Sequence, residues 1–201
     1  MIAAVVLAAG GSSRMGRPKQ ILDLEGAPML ERVLVTFRRS KVGRVVVVLG
    51  AHAAEVRAKV KFADELIVEN PRFAEGMSES LRVGLRNVGG ADAAFIALGD
   101  QPYLKYGTVD IMVSAYERTK ARIVIPTCQG TRGNPVLFDR SVFPQLEGIH
   151  GDVGAKAVVR RNAADVLEVE VDDVGVLVDL DTPSDVASRA GFRKRRTLAR
   201  A

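Results

Sequence analysis

The stretch Ile2-Ala3-Ala4-Val5-Val6-Leu7-Ala8, followed at once by Ala9-Gly10-Gly11-Ser12-Ser13-Arg14-Met15-Gly16-Arg17-Pro18-Lys19, decides the architecture. A wholly apolar, β-branched run of this length reads as a strand buried on both faces, the signature of a parallel sheet covered by helices. Where the run ends, small residues let the backbone approach a ligand with no Cβ in the way. Gly10, Gly11 and the serines then offer successive N–H and hydroxyl donors, the kind of concavity that holds phosphate oxygens, while Arg14 and Lys19 add two cations. In an open α/β sheet, ligands bind at the carboxyl ends of strands, which is where this loop falls. The alternative reading is a Gly/Ser turn with solvated charges. No Gly-Lys-Ser/Thr or G-x-G-x-x-G pattern is present, so the loop is neither a P-loop nor a dinucleotide fingerprint.

Outward from this point, short apolar runs alternate with helical periodicity, giving one α/β domain over residues 1–190 with a mostly parallel sheet flanked by helices. Strands are predicted at Val45 to Leu49, Leu66 to Val68, Ala93 to Leu98, Ile123 to Ile125, Pro135 to Phe138, Val166 to Val171 and Val176 to Val178. Helices are predicted after Pro28, over Ala53 to Lys61, from about Ser78, around Val109 to Tyr116, around Phe143 and Leu146, around Ala157 and Val158, and from Thr182. Thr182-Pro183-Ser184-Asp185 has the form of a capping box, with Thr as cap, Pro at the first helical position and an acid three residues on.

Composition narrows the classes. The chain has 201 residues, 47% hydrophobic and 26% charged, with one cysteine, two histidines and no tryptophan. Its longest apolar run is far short of the ~18–20 residues of a membrane span, and no secretory leader pattern surrounds it. A lone cysteine excludes an internal disulfide framework, so a cytoplasmic setting is expected. Scarce aromatics argue against a base-stacking surface. Of 29 Lys and Arg, five lie in residues 191–201, which hold no acid, leaving 24 bases against 24 acids in residues 1–190. The net charge of +5 therefore belongs to a basic C-terminal tail, expected to be disordered, and nucleic acid and membrane partners are not expected.

Three further segments carry candidate chemistry. Gly99-Asp100-Gln101-Pro102 puts a carboxylate at the end of a buried strand; it suits Mg²⁺, which takes one or two carboxylates with phosphate oxygens, and equally suits a plain turn. Asp179 and Asp181 would share one side at the end of a Val176 to Val178 strand, with Asp181 either a second metal ligand or a helix-start residue. Gly76-Met77-Ser78-Glu79-Ser80 would form a polar pocket at a helix start, with Gly76, Ser78 and Ser80 beside a base or ribose, or Ser78 would be a simple cap. His52 reads as a turn or capping residue and Cys128 as an inert buried thiol.

These segments, in this order, resemble the nucleotidyltransferase superfamily that includes the molybdenum cofactor nucleotidyltransferases. The opening loop is similar to the L-A-(A/G)-G-x-S-x-R-M-G-x-x-K signature at Leu7, Ala8, Ala9, Gly10, Ser12, Arg14, Met15, Gly16 and Lys19. Ala9, the Gly76 to Arg82 stretch and Gly99-Asp100-Gln101-Pro102 look most like the CTP-using molybdopterin cytidylyltransferases. The resemblance implies a Rossmann-like fold and transfer of CMP from CTP to the terminal phosphate of molybdopterin with release of pyrophosphate. It implies Leu7 to Ser12, Lys19, Gly76, Ser78 and Ser80 on the nucleotide, and Arg14 and Lys19 on the triphosphate. Mg²⁺ would sit on Asp100 with Asp181, and the acceptor near Gln101, Asn134 and Asp152. A molybdoenzyme or its maturation chaperone would receive the product. One departure stands out: the branch often has Gly-His-Pro where this chain has Gly133-Asn134-Pro135, which leaves the acceptor open. GTP, a sugar phosphate acceptor or a carrier without turnover are the alternatives.

Overall fold

The computed structural model describes residues 1–12 and 15–186. The expectations for Arg14 and for the 191–201 tail lie outside the described residues. In chain order the strand β1 (Ile2–Ala8) leads into the glycine loop and a small hairpin of β2 (Asp23–Leu24) and β3 (Ala27–Pro28). Then follow α1 (Met29–Arg38), β4 (Arg44–Leu49), α2 (Ala53–Lys59), β5 (Leu66–Glu69), α3 (Met77–Arg86), β6 (Ala93–Leu98) and α4 (Tyr106–Thr119). The second half holds β7 (Ile123–Cys128), β8 (Thr131–Arg132), β9 (Val136–Asp139), α5 (Phe143–Glu147), α6 (Lys156–Arg161) and β10 (Val166–Glu170).

The main sheet runs β10-β7-β9-β6-β1-β4-β5, with β8 paired to β7. Every pairing along it is parallel except those of β9, which runs against both β6 and β7. β1 is covered on both faces, as its apolar run requires. Ala4, Val6 and Ala8 pack into the layer of Leu34, Phe37 and Met112 from α1 and α4. Ala3, Val5 and Ala9 pack into the layer of Leu81, Leu146 and Val158 from α3, α5 and α6.

The predicted strand at Val176 to Val178 is corrected: residues Val174–Leu177 form a 3₁₀ turn. The cause is Asp173, only 2% exposed, whose carboxylate accepts from the Gly175 N–H at 3.0 Å and closes the turn locally. The same carboxylate accepts from Lys105 N–H and Thr108 Oγ1, at 2.9 and 2.7 Å, so it also anchors the start of α4. A further side chain would not fit at position 175, where a Cβ would meet the backbone of Tyr103 and Leu104. Residues 176–181 then run as a strap across the carboxyl ends of the strands. Val176 O accepts from Asn134 N–H at 2.9 Å, and Leu180 N–H donates to Asp100 O at 3.0 Å.

β1 is flanked by β4 on one side and β6 on the other, and the chain leaves β1 toward β4 and returns later to β6. The carboxyl ends of β1 and β6 therefore border a topological switch point, where doubly wound sheets open a crevice.

Candidate active site

A cleft of about 210 Å³ lies at that switch point. Its floor is Leu7 to Gly10 from β1 and Leu98 to Asp100 from β6, and its walls include Lys19, Ser80 and Asp152. Gly99 allows the two strand ends to approach: its N–H donates to Leu7 O at 2.9 Å, and a Cβ there would sit 3.1 Å from that oxygen.

Lys19 is the electrostatic centre. Its Nζ donates to Asp100 Oδ2 at 2.5 Å and to Asp181 Oδ1 at 2.8 Å, so one ammonium joins the loop after β1, the end of β6 and the strap. Burial alone would push the ammonium down, but the Asp100 and Asp181 carboxylates more than reverse this and hold it above the ordinary lysine value of 10.5. Burial pushes the Asp100 carboxyl above its ordinary 3.8, a shift that Lys19 opposes and that Asp181 and Asp179 reinforce. Asp100 Oδ1 is buried without a hydrogen-bond partner. A buried carboxylate oxygen left unmatched beside a second carboxylate suits a cation in the cleft, and two such ligands are what Mg²⁺ takes when phosphate supplies the rest. Among the described residues no group of three or more His, Cys, Asp or Glu is placed to hold a metal.

Several predicted residues stand elsewhere. Ser78 is corrected: it is fully buried, and its hydroxyl donates to Gly151 O at 2.8 Å instead of facing the cleft or capping α3. Gly76 does line the cleft and is also the capping position of α3, at φ 109°, where a Cβ would lie 2.5 Å from the Gly151 backbone. Gly76 and Ser78 thus press the 151–152 loop onto the start of α3 and deliver Asp152 to the cleft rim. Ser80 does line the cleft, its hydroxyl held by Asn70 Nδ2 at 3.0 Å. Gln101 is only 2% exposed and outside the cleft lining, and its Nε2 has no partner. Asn134 is half-buried and also outside the lining, fixed by its backbone to the strap. Asp179 is exposed, Asp181 is turned to Lys19, and both carboxylates lie near enough to act on Asp100. Gly11 is exposed beyond the lining, and Ser12 Oγ accepts from Lys19 N–H at 3.0 Å, bracing the loop.

Sequence reasoning passed over Gln20 and Phe73, which also line the cleft, as does Met77 of the predicted Gly76 to Ser80 pocket. Gln20 had a signal available, an amide directly after the key lysine. Phe73 sits in a short 3₁₀ turn without periodicity, and the packing of α3 beside β1 brings that turn in. His52, read as a turn residue, directs Nε2 to Gly11 O at 3.2 Å.

A glycine loop, a lysine and converging carboxylates at the switch point of an α/β sheet describe a nucleotidyltransferase. The chain belongs to the family described as the MobA-like NTP transferase domain, whose model matches residues 4–166. It is 30% identical over 193 residues to nicotine blue oxidoreductase of Paenarthrobacter nicotinovorans, covering 90% of this chain and 92% of that one. It is 25% identical over 191 residues to the molybdenum cofactor cytidylyltransferase of Escherichia coli, covering 90% and 91%. Among solved structures, Rv0371c of Mycobacterium tuberculosis superimposes with a TM-score of 0.83 at 32% identity, covering 94% of this chain and 96% of that one. The same protein has been solved in complex with manganese, with a TM-score of 0.79, 29% identity and coverage of 93% and 96%. Among the described residues no helix is long and apolar enough to cross a membrane.

Proposed function

We propose that the chain transfers CMP from CTP to the terminal phosphate of molybdopterin and releases pyrophosphate, with Mg²⁺ as the activating ion. The observation that carries the reading is the Lys19 ammonium held between Asp100 and Asp181 at the mouth of the glycine loop. Similarity to a molybdenum cofactor cytidylyltransferase, and Ala9 in the loop, support the choice of cytidine and molybdopterin.

An acceptor phosphate is already anionic, so the protein supplies no covalent nucleophile. Its task is positioning and charge stabilisation. The acceptor oxygen forms a bond to the α-phosphorus while the bond to the bridging oxygen breaks, and the electron pair leaves with pyrophosphate. Backbone N–H groups of Gly10, Gly11 and Ser12 donate to the phosphates, and Lys19, with Arg14, offsets their charge. Leu7 to Ala9, Gly76 and Ser80 border the base, while Ser78 acts only by placing the 151–152 loop. Asp152 stands on the acceptor side, with Gln101 and Asn134 acting through the backbone around them. Asp100 and Asp181 would hold Mg²⁺, which when bound draws charge from the triphosphate oxygens.

The test offers purified protein CTP, GTP, ATP or UTP with Mg²⁺ and molybdopterin and follows pyrophosphate. Release with CTP is expected. Incorporation from GTP alone overturns the cytidine assignment, and release only with a sugar phosphate overturns the acceptor. Tight nucleotide binding with no release from any of the four points to a carrier.

A further inference from the structure

The loop at the end of β1 permits a complete account of its carbonyl groups. Ala8 O and Gly10 O both accept from Gln20 Nε2, at 2.8 and 3.0 Å. Ala9 O accepts from the Ala51 N–H at 3.3 Å, and Ser12 O from the Met15 N–H at 2.9 Å. Gly11 O is met by His52 Nε2 at 3.2 Å. Every carbonyl from Ala8 to Ser12 is thus engaged by protein. The N–H groups of Gly10, Gly11 and Ser12, in contrast, donate to no acceptor among the described residues.

A glycine-rich turn does not sort its peptide groups this way by default. Its freedom lets it show carbonyls as readily as N–H groups, and a carbonyl dipole facing a phosphate oxygen repels it. Two side chains from outside the loop impose the order. Gln20 is 3% exposed, and its amide spends both hydrogens on carbonyls two residues apart, turning alternate peptide units the same way. His52 and the Ala51 N–H take the intervening carbonyls, Gly11 and Ala9. The approach of Ala51 depends on Gly50, where a Cβ would lie 2.6 Å from Ala9 O. Ser12 Oγ, 3.4 Å from Gln20 Oε1, ties the far end of the loop to the same amide.

We propose that Gln20 and His52 are positioning residues that make this loop an all-donor surface and so set its affinity for a polyphosphate, acting through the backbone. The proposal rests on the phosphate-loop reading given above. It assigns to two residues beyond the loop a property that its glycines permit but do not enforce.

Calorimetric titration of the full-length protein with inorganic tripolyphosphate tests it, with thermal melting measured on the same samples. Gln20→Leu removes both donors, and Gln20→Glu sets acceptor oxygens against the Ala8 and Gly10 carbonyls. His52→Ala frees the Gly11 carbonyl, and His52→Gln restores a side-chain N–H donor. The two Gln20 variants and His52→Ala are expected to bind tripolyphosphate on the order of 10-fold more weakly or worse, with melting close to wild type, and His52→Gln to recover most of the loss. Folded variants that bind as wild type does, or a His52→Gln no better than His52→Ala, overturn the proposal. If a Gln20 variant fails to fold, the His52 pair decides alone. A wild-type protein without affinity for tripolyphosphate removes the phosphate-loop reading itself, a different failure from variants that match wild type.

Discussion

Lys19 Nζ and Asp100 Oδ2 lie 2.5 Å apart although 81 residues separate them in the chain. The contact joins the loop that follows the first strand to the tip of β6, and Asp181 completes it from the strap. One positive charge between two carboxylates leaves the group with a net negative charge.

Asp100→Asn keeps the shape of the side chain but removes a charge from the place where Asp100 and Lys19 meet. Pyrophosphate release should fall by about two to three orders of magnitude, the scale seen when one preorganised electrostatic group is lost. Circular dichroism and melting should show the fold retained, because Lys19 keeps Asp181. A rate near wild type would mean Asp100 holds no part of the reacting assembly.

Lys19→Met should separate two properties. Without the ammonium, the Asp100 and Asp181 carboxylates face each other unneutralised, so Mn²⁺ binding to the nucleotide-free protein, read by electron paramagnetic resonance, should tighten. Binding of CTP should weaken in the same variant, because a cation facing the triphosphate is gone. Movement of both affinities in the same direction would contradict this arrangement.

Alkaline pH gives a third test. The Lys19 value is raised above 10.5 in the folded protein, since burial lowers it but the Asp100 and Asp181 carboxylates raise it further. A raised value means that folding strengthens proton binding here. The resulting stability is present in full below the unfolded value of 10.5 and is lost as pH climbs through the higher folded value. The melting difference between wild type and Lys19→Met should therefore stay level from neutral pH to about 10 and shrink above that. A difference that closes already between pH 6 and 9 would assign it to another group.

Gly76→Ala should be costly for two separate reasons, a φ of 109° and a Cβ 2.5 Å from the Gly151 backbone. A loss of about 1–3 kcal/mol in a denaturant titration is expected. Because relief of the clash must lift the 151–152 loop, KM for the acceptor should rise more than KM for the nucleotide. A neutral substitution would show that the loop moves freely.

Much of this arrangement is written locally. Ile2 to Ala8 and Ala93 to Leu98 are apolar throughout because both faces are buried, and their small or acidic ends, Gly10 to Ser12 and Asp100, sit directly after them in the chain. Lys19 could be placed at the loop from its spacing. The roles that stayed hidden depend on distant partners. Ser78 looks like a cap until Gly151, 73 residues later, takes its hydroxyl. Val176 to Val178 has a strand's composition, yet a buried Asp173 and the Tyr103 backbone impose a turn. Asn134 lies in a polar stretch that suggests ligand contact, but its backbone is tied to Val176 and its side chain is away from the cleft lining. His52 occupies an ordinary turn position, and only the adjacency of β1 and β4 carries it to Gly11.

The reversed direction of β9 has a consequence for how such a protein diversifies. Beside the tip of β6 the sheet receives an incoming chain, since Val136 at the start of β9 pairs with Ile96. The segment leading into it passes through an exposed tight turn, where Gln129 and Gly130 both have positive φ, at 53° and 72°. That turn lies on the β10 side of β7, where Gln129 N–H donates to Glu170 Oε1 at 2.9 Å, so length added there would leave the register of β1 and β6 unchanged. The polarity of a single strand thus leaves an edge of the sheet that can grow while the strands leading to Lys19 and Asp100 keep their places.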